Sequence, residues 1–290
     1  MKSQNIDNIL SKYKLIICDI WGVLHNGYNF YSEAVNALSY IIDNGCTLLL
    51  LTNAPRSSDI VREYLINMGI DKKVCKNIIS SGDLTQDWLS NIEHKPLYHI
   101  GPSKDGSIFD SIKVNKVSLE DSHECLCTGF FDEFNETIDN YENILNMLNK
   151  RNIVIHCANP DLYVKKGNKT LPCAGLIAES YKKMGGKVVY FGKPYSSIYD
   201  FALHKAMNIR NEELKKSDIL AIGDGLETDI LGANNYGLDC LFIINGVHKN
   251  EIKDYFSGSN YKTADIYDFI ASKHSKIKPP KYIEFELKLI

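Results

Sequence analysis

The stretch LIICDIWGVLHNG, residues 15–27, decides how the rest of the chain is read. An apolar run ends in one carboxylate, Asp19, and then breaks into a turn. That is the pattern of a strand buried on both faces, delivering a polar group at its carboxyl end. Working outward, SEAVNALSYIID reads as a helix with Ser32 at its N-cap and Gly45 just past its end. CTLLLL is a second strand running into a Thr52–Asn53 turn. Residues 58–68 then place Ile60, Val61, Tyr64, Leu65 and Met68 on one helical face. The alternation returns later in the chain. KVVYFGKP is strand and turn, SSIYDFALHKAM helix, DILAIGDG strand, TDILGANNYG helix and CLFIING strand. Such alternation predicts an α/β fold with a parallel sheet covered by helices.

Between these two runs lie PLYHIG, ECLCTGFF, YENILNMLNK, IVIHCANPD and AGLIAESYKK, enough strands and helices for a second sheet. The expected organisation is therefore a core of residues 1–81 and 187–290, interrupted by an inserted domain at 82–186. The segment YIEFELKLI alternates Ile283, Phe285, Leu287 and Leu289, as an edge strand of the core sheet would. A contact between copies of the chain, and so a homodimer, remains open.

Composition narrows the function classes. Hydrophobic residues make up 44% and charged residues 24% of 290, ordinary for a folded chain. Lys plus Arg is 33 against 36 Asp plus Glu, a net charge of -3, so the chain lacks the basic field that nucleic acid or an anionic membrane demands. No apolar leader or membrane-length segment is present, which points to a soluble cytoplasmic protein. The 8 cysteines are scattered, several inside strand-like runs, and read as reduced core thiols. Cys125 and Cys127 are the one close pair, without the second pair a zinc site requires.

In an open parallel sheet, ligands bind outside the carboxyl ends of the strands. Polar residues stand there at four places: Asp19, the Thr52–Asn53 pair, Lys193 in FGKP, and Asp224 with Asp229 in GDGLETD. Each alone has an ordinary account as a cap, turn or solvated charge. Together they comprise a nucleophile, a hydroxyl and amide, an ammonium and a second carboxylate able to share a cation with the first. Phosphoryl transfer needs such a set, because the protein chiefly positions the group and offsets its charge. Oxygen donors favour Mg²⁺ over zinc.

LIICDIWGVLHNG, LLLLTNAPRSS, FGKPYSSIYDFAL and AIGDGLETDILGA resemble, in order, the four motifs of the haloacid dehalogenase-like (HAD) phosphohydrolases. CANPDLYVKKGNKTLPCAGLIA resembles the large cap of their class IIA branch, which includes 4-nitrophenyl-phosphatase-like and nucleotide-phosphatase-like enzymes. The resemblance implies a Rossmann-like three-layer α/β/α core with an inserted α/β cap. It also implies Mg²⁺ as cofactor and a small phosphorylated metabolite as substrate. Asp19 would take the phosphoryl group as an acyl phosphate. Thr52, Asn53 and the Trp21–Gly22 segment would hold phosphoryl oxygens, and Lys193 would offset charge. Asp19, Asp224 and the main-chain carbonyl of Trp21 would ligate the metal, with Asp229 orienting that shell. Asn159 and Asp161, with the LPCAG segment at 171–175, would face the substrate from the cap.

Trp21 is a departure. The family phosphatases read D-x-D, and the second Asp protonates the leaving oxygen and then activates water. Indole does neither at neutral pH. General acid–base help is typically worth about 10²–10⁴ in rate, roughly 3–5 kcal/mol of barrier, so its loss predicts a restricted substrate range. His25 is one candidate replacement acid, and an ordinary surface histidine is the simpler account of it. Two look-alikes are set aside. GDGLET lacks the third glycine of a dinucleotide loop, and GPSKDGS lacks the GK[ST] ending of a phosphate loop and reads as an exposed turn. Two rivals remain: a haloacid dehalogenase proper, which the pair Asp224 and Asp229 argues against, and a phosphate-binding protein without turnover, which Trp21 favours.

Overall fold

The strand ending at Asp19 is β1 (Leu15–Asp19), buried at every position, as its unbroken apolar run requires. A computed structural model of the chain describes residues 6–92, 94–110, 112–166, 169–258 and 260–289. It divides into two compact units: residues 1–52, 62–78 and 199–290, and residues 53–61 and 79–198.

One sheet has six strands in the order β13-β12-β11-β1-β2-β3, all but the last two residues of β3 in the first unit. Beside β1 these are β2 (Thr47–Thr52), β3 (Ile78–Ser80), β11 (Ile219–Gly223), β12 (Asp239–Ile243) and β13 (Tyr282–Glu284). β1 pairs in parallel with β2 and β11, with Asp19 beside Leu51 and Cys18 beside Ile222. This register brings the ends of all three strands to one edge of the sheet, so Thr52 and Asp224 emerge on the edge that carries Asp19. Leu48, Leu49, Leu50 and Leu51 are all buried. Each such side chain contributes about 1.5–3 kcal/mol by leaving water, which is what holds the strand ends in place. β13 is indeed an edge strand, parallel to β12. Past Glu284 the pairing continues through the Phe285 carbonyl, which accepts from the Asn245 N–H at 3.0 Å.

The second unit has its own sheet. β4 (Pro96–Ile100), β5 (Asn115–Lys116), β6 (Glu124–Cys127), β7 (Ile155–Cys157) and β10 (Val188–Tyr190) lie in the order β10-β7-β6-β4-β5, beside an antiparallel pair, β8 (Tyr163–Lys166) and β9 (Lys169–Pro172). Its core packs Cys125, Cys127, Tyr141, Leu148, Ile177 and Tyr181. Tyr181 can be fully buried because its hydroxyl donates to the Ile153 carbonyl at 2.6 Å.

Two local expectations are corrected. The helix Ser32–Asp43 begins at Ser32 itself, and its cap is Tyr31, extended at φ -95 and ψ 103, without a side-chain bond. Residues 101–107 are not an exposed turn: Ser103–Phe109 forms a 3-10 helix drawn inward by Ile108 and Phe109. Asp105 is carried in with them; the Arg56 guanidinium, donating to it at 3.1 Å, offsets part of its burial, which still holds the carboxyl above its ordinary value. Seven cysteines are buried and Cys46 is half-buried, in keeping with core thiols. Among the described residues no helix is long and apolar enough to cross a membrane.

Candidate active site

In the first unit the chain brings three carboxylates together. One oxygen each of Asp19, Asp224 and Asp229 lies within 4.8 Å of the other two. All three residues are buried, at 8%, 5% and 5% exposure. Like charges this close and this dry repel strongly unless a cation lies among them or protons neutralise them. Donors that are all oxygen suit a hard divalent ion such as Mg²⁺.

Each carboxylate is aimed by backbone. Asp229 accepts from the Gly225 N–H at 3.0 Å, closing the turn between β11 and the helix Leu231–Tyr236. Asp224 accepts from the Val247 N–H at 2.6 Å. Gly22 sits at φ +87, and a Cβ there would fall 2.0 Å from an Asp224 oxygen. Only glycine serves here, for two reasons: the left-handed backbone, and the close approach of the 224 carboxylate to the 21–22 segment. Sequence reasoning had no signal for Val247, whose contribution is a main-chain N–H.

The loop after Asp19 folds back on itself. Gly22 N–H donates to the His25 carbonyl at 2.8 Å, and Leu24 N–H to the Ile20 carbonyl at 2.8 Å. The Trp21 ring meets His25 edge to face at 4.8 Å, and His25 in turn meets Tyr64 at 5.7 Å. His25 is therefore not a surface residue; it is 1% exposed. Its Nδ1 accepts from the Gly27 N–H at 2.9 Å, which fixes the neutral tautomer with the proton on Nε2. Burial pushes its pKa down to about 4. At neutral pH it is a spacer between aromatic rings and holds no transferable acidic proton, so it does not replace the missing carboxylic acid.

The second unit gathers Asn53, Asp161 and Lys193. The Asn53 amide nitrogen donates to Asp161 Oδ1 at 2.9 Å and to the Lys193 carbonyl at 3.0 Å, while its Oδ1 accepts from the Lys193 N–H at 2.8 Å. This two-way bond holds the 193 backbone as another strand would. Gly192, at φ +131, makes room for it, since a Cβ would meet Ser81 Oγ at 2.3 Å and Asn53 Oδ1 at 2.6 Å. Lys193 is 4% exposed. Asn159 accepts from the Asp161 N–H at 3.0 Å, a side-chain turn that presents Asp161 to Asn53. The LPCAG segment supports it: Gly175 N–H donates to the Asp161 carbonyl at 3.2 Å and Cys173 N–H to the Leu162 carbonyl at 2.9 Å. The two stretches singled out in this region thus form one structure. Thr52, 7% exposed, closes β2 in the first unit, one residue before Asn53.

Comparison with known proteins agrees with this fold. Residues 16–115 match the haloacid dehalogenase-like hydrolase family and residues 190–269 the HAD-hydrolase-like family. A crystal structure of a haloacid dehalogenase-like family hydrolase from Brucella suis 1330 superposes with a TM-score of 0.81 at 36% identity, covering 84% of this chain and 90% of that one. Ribonucleotide monophosphatase NagD of Escherichia coli (strain K12) is 28% identical over 239 residues, 81% of this chain and 88% of its own length. Acid sugar phosphatase of Staphylococcus aureus (strain USA300) is 26% identical over 271 residues, 90% of this chain and 98% of its own. Matches that run the length of the chain and include a relative at 36% identity leave one assignment: the chain belongs to the haloacid dehalogenase-like hydrolase family, in its class IIA branch.

Proposed function

We propose that the protein is a magnesium-dependent phosphohydrolase that transfers the phosphoryl group of a small phosphorylated metabolite to Asp19 and then to water. The observation that carries this reading is the buried trio Asp19, Asp224 and Asp229, with oxygens within 4.8 Å of one another. Mg²⁺ would be held by Asp19, Asp224 and the Trp21 carbonyl, with Asp229 orienting the shell, and when bound it offsets negative charge on the phosphoryl oxygens. Asp19 attacks phosphorus, an acyl phosphate forms as the P–O bond to the leaving group breaks, and that oxygen departs as an anion or with a proton supplied by the substrate itself. Water then cleaves the acyl phosphate, releasing inorganic phosphate and restoring the carboxylate. Thr52 donates its hydroxyl to a phosphoryl oxygen. Asn53 and Lys193 carry the roles the resemblance implies, oxygen donor and charge offset, and Asp161 orients the Asn53 amide. The inserted cap expected at 82–186 falls within the second unit, where Asn159 and Asp161 would meet the substrate.

Trp21 and the neutral, buried His25 leave the leaving group without a protein acid. The favoured substrates are therefore those whose leaving oxygen is stable as an anion or brings its own proton: acyl phosphates, aryl phosphates, or sugar phosphates with a neighbouring hydroxyl. The E. coli and S. aureus relatives are named for ribonucleotide and sugar phosphates, so both classes belong in the first panel. The test is phosphate release with and without Mg²⁺ on aryl, acyl, sugar and nucleotide phosphates, with Asp19→Asn as control. Equal rates on alkyl and aryl substrates would remove the restriction, and release by Asp19→Asn would remove the mechanism. The same Trp21–His25 pairing favours a second reading, a phosphate-binding protein without turnover. Tight binding of beryllium fluoride with no product across the panel would select it. The carboxylate trio stands against a haloacid dehalogenase, which needs no metal; halide release from a 2-haloacid without Mg²⁺ would reverse that judgement.

A further inference from the structure

A second group of ligand-type side chains lies in the first unit, outside the carboxylate trio. His248 caps the helix Lys249–Tyr255, Glu251 stands in that helix's first turn, and His274 caps the far end of the helix Ile266–Lys273. Glu227 comes from the turn between Asp224 and Asp229. Each imidazole is caught between the same two carboxylates. Toward Glu227 point His248 Nε2 at 3.3 Å and His274 Nδ1 at 2.7 Å; toward Glu251 point His248 Nδ1 at 2.8 Å and His274 Nε2 at 3.4 Å. The rings meet edge to face at 5.3 Å. One nitrogen from each histidine and one Glu251 oxygen all lie within 4.8 Å of one another.

His274 Nδ1 donates to Glu227, yet its Nε2 is buried and has no hydrogen-bond partner among the described residues, facing a Glu251 oxygen. His248 Nε2 accepts from the Leu226 N–H at 3.2 Å, so it presents a lone pair while a Glu227 oxygen stands 3.3 Å away. A cation among His248 Nδ1, His274 Nε2 and Glu251 gives the His274 nitrogen its missing partner. His248 then carries its proton on Nε2, so both rings donate their outward N–H to Glu227 and the Leu226 N–H gives up its bond to that ring. That is the carboxylate–histidine–metal arrangement in which an outer carboxylate fixes the ring tautomer. With metal–ligand bonds of about 2.0–2.1 Å, ligand atoms around a tetrahedral ion stand roughly 3.3–3.4 Å apart; His274 Nε2 stands 3.4 Å from Glu251, while His248 Nδ1, at 2.8 Å, would have to open outward to admit the ion.

We propose that His248, Glu251 and His274 form a second cation site, selective for a transition-metal ion of the zinc type, with Glu227 holding both imidazoles from behind. Two nitrogens and one carboxylate are the donor set such an ion prefers to Mg²⁺. Glu251 is 46% exposed, so water can complete the coordination. The ion would tie the 224–230 turn, the 245–251 segment and the end of the helix at 273 into one unit. Its presence does not depend on turnover at Asp19.

The test uses the full chain stripped of metal, then dialysed against limiting Zn²⁺ or Co²⁺ in excess Mg²⁺. One equivalent of Zn²⁺ should be retained, and Co²⁺ should give the intense visible absorption of a tetrahedral site, with a rise in Tm of about 5 °C that Mg²⁺ alone does not produce. His274→Ala should weaken Zn²⁺ retention at least about 100-fold, and Asp19→Asn should leave it unchanged. Glu251→Gln, at a partly exposed position, decides the matter if His274→Ala fails to fold. No retained Zn²⁺ in excess Mg²⁺, or a cobalt absorption that survives Glu251→Gln, overturns the proposal and leaves a ring of ion pairs.

Discussion

Two clusters of ligand-type side chains share one turn of chain, residues 224–230, and they are built on opposite principles. Asp19, Asp224 and Asp229 are all oxygen, all buried, and held by strand ends and main-chain N–H groups. His248, Glu251, His274 and Glu227 mix nitrogen with oxygen, keep their glutamates partly in water and hold one another. Rigid backbone aims the first set at one point in a dry crevice, which suits chemistry on an anion. Side chains cross-brace the second, which suits holding a fold together. The histidines show the same contrast. His25, near the first set, is pushed down to about 4 by burial with no carboxylate to oppose it. Burial also pushes His248 down, but the Glu227 and Glu251 carboxylates outweigh it and the net shift is upward.

The largest expected effect separates the clusters outright. Asp19→Asn should lower phosphate release by about 10⁴ or more, while circular dichroism and Zn²⁺ retention stay as in the parent. Next comes Trp21→Asp, which places a carboxylic acid where the family keeps one. Turnover of alkyl phosphates should rise by about 10²–10⁴, with a much smaller gain on aryl phosphates, and steady-state kinetics on the two classes measures the ratio. No gain on either class would mean that the Trp21 loop excludes productive geometry for reasons other than the missing proton.

A third expectation concerns pH. The folded value for His25, about 4, lies below the ordinary value of 6.5, so between these the unfolded chain binds a proton that the folded chain refuses. Stability is intact above pH 6.5 and falls as pH drops toward 4, by up to about 3 kcal/mol from this residue. Urea unfolding of wild type and His25→Asn across that range measures it; the variant, which keeps an acceptor for Gly27, should show the shallower slope. The smallest effect is Glu251→Gln, expected to lower Tm by about 5 °C in zinc-loaded protein while changing kcat less than twofold.

Much of this was legible in the sequence, for a physical reason. β1, β2 and β11 are short apolar runs that end in or run straight into polar residues, so both the strands and the groups they deliver could be read from local pattern. Asn53, Asp161 and Lys193 were picked out singly, but the bond network joining them spans positions far apart in the chain. His25 was misread as exposed because nothing local shows that Trp21 and Tyr64 close over it. The His248 cluster went unseen for the same reason. His248 and Glu251, three residues apart at a helix start, were its one local sign, and both Glu227 and His274 arrive from elsewhere.

Asp19 and Asp224 stand roughly 200 residues apart in sequence, yet they share one crevice. Closing so long a loop sets the chain back by about 5 kcal/mol of entropy, a debt met only when β11 docks beside β1. During synthesis, the carboxylate trio can assemble only after residue 229 has left the ribosome. On the proposed reading, a chain cut short of β11 would lack the phosphate site altogether.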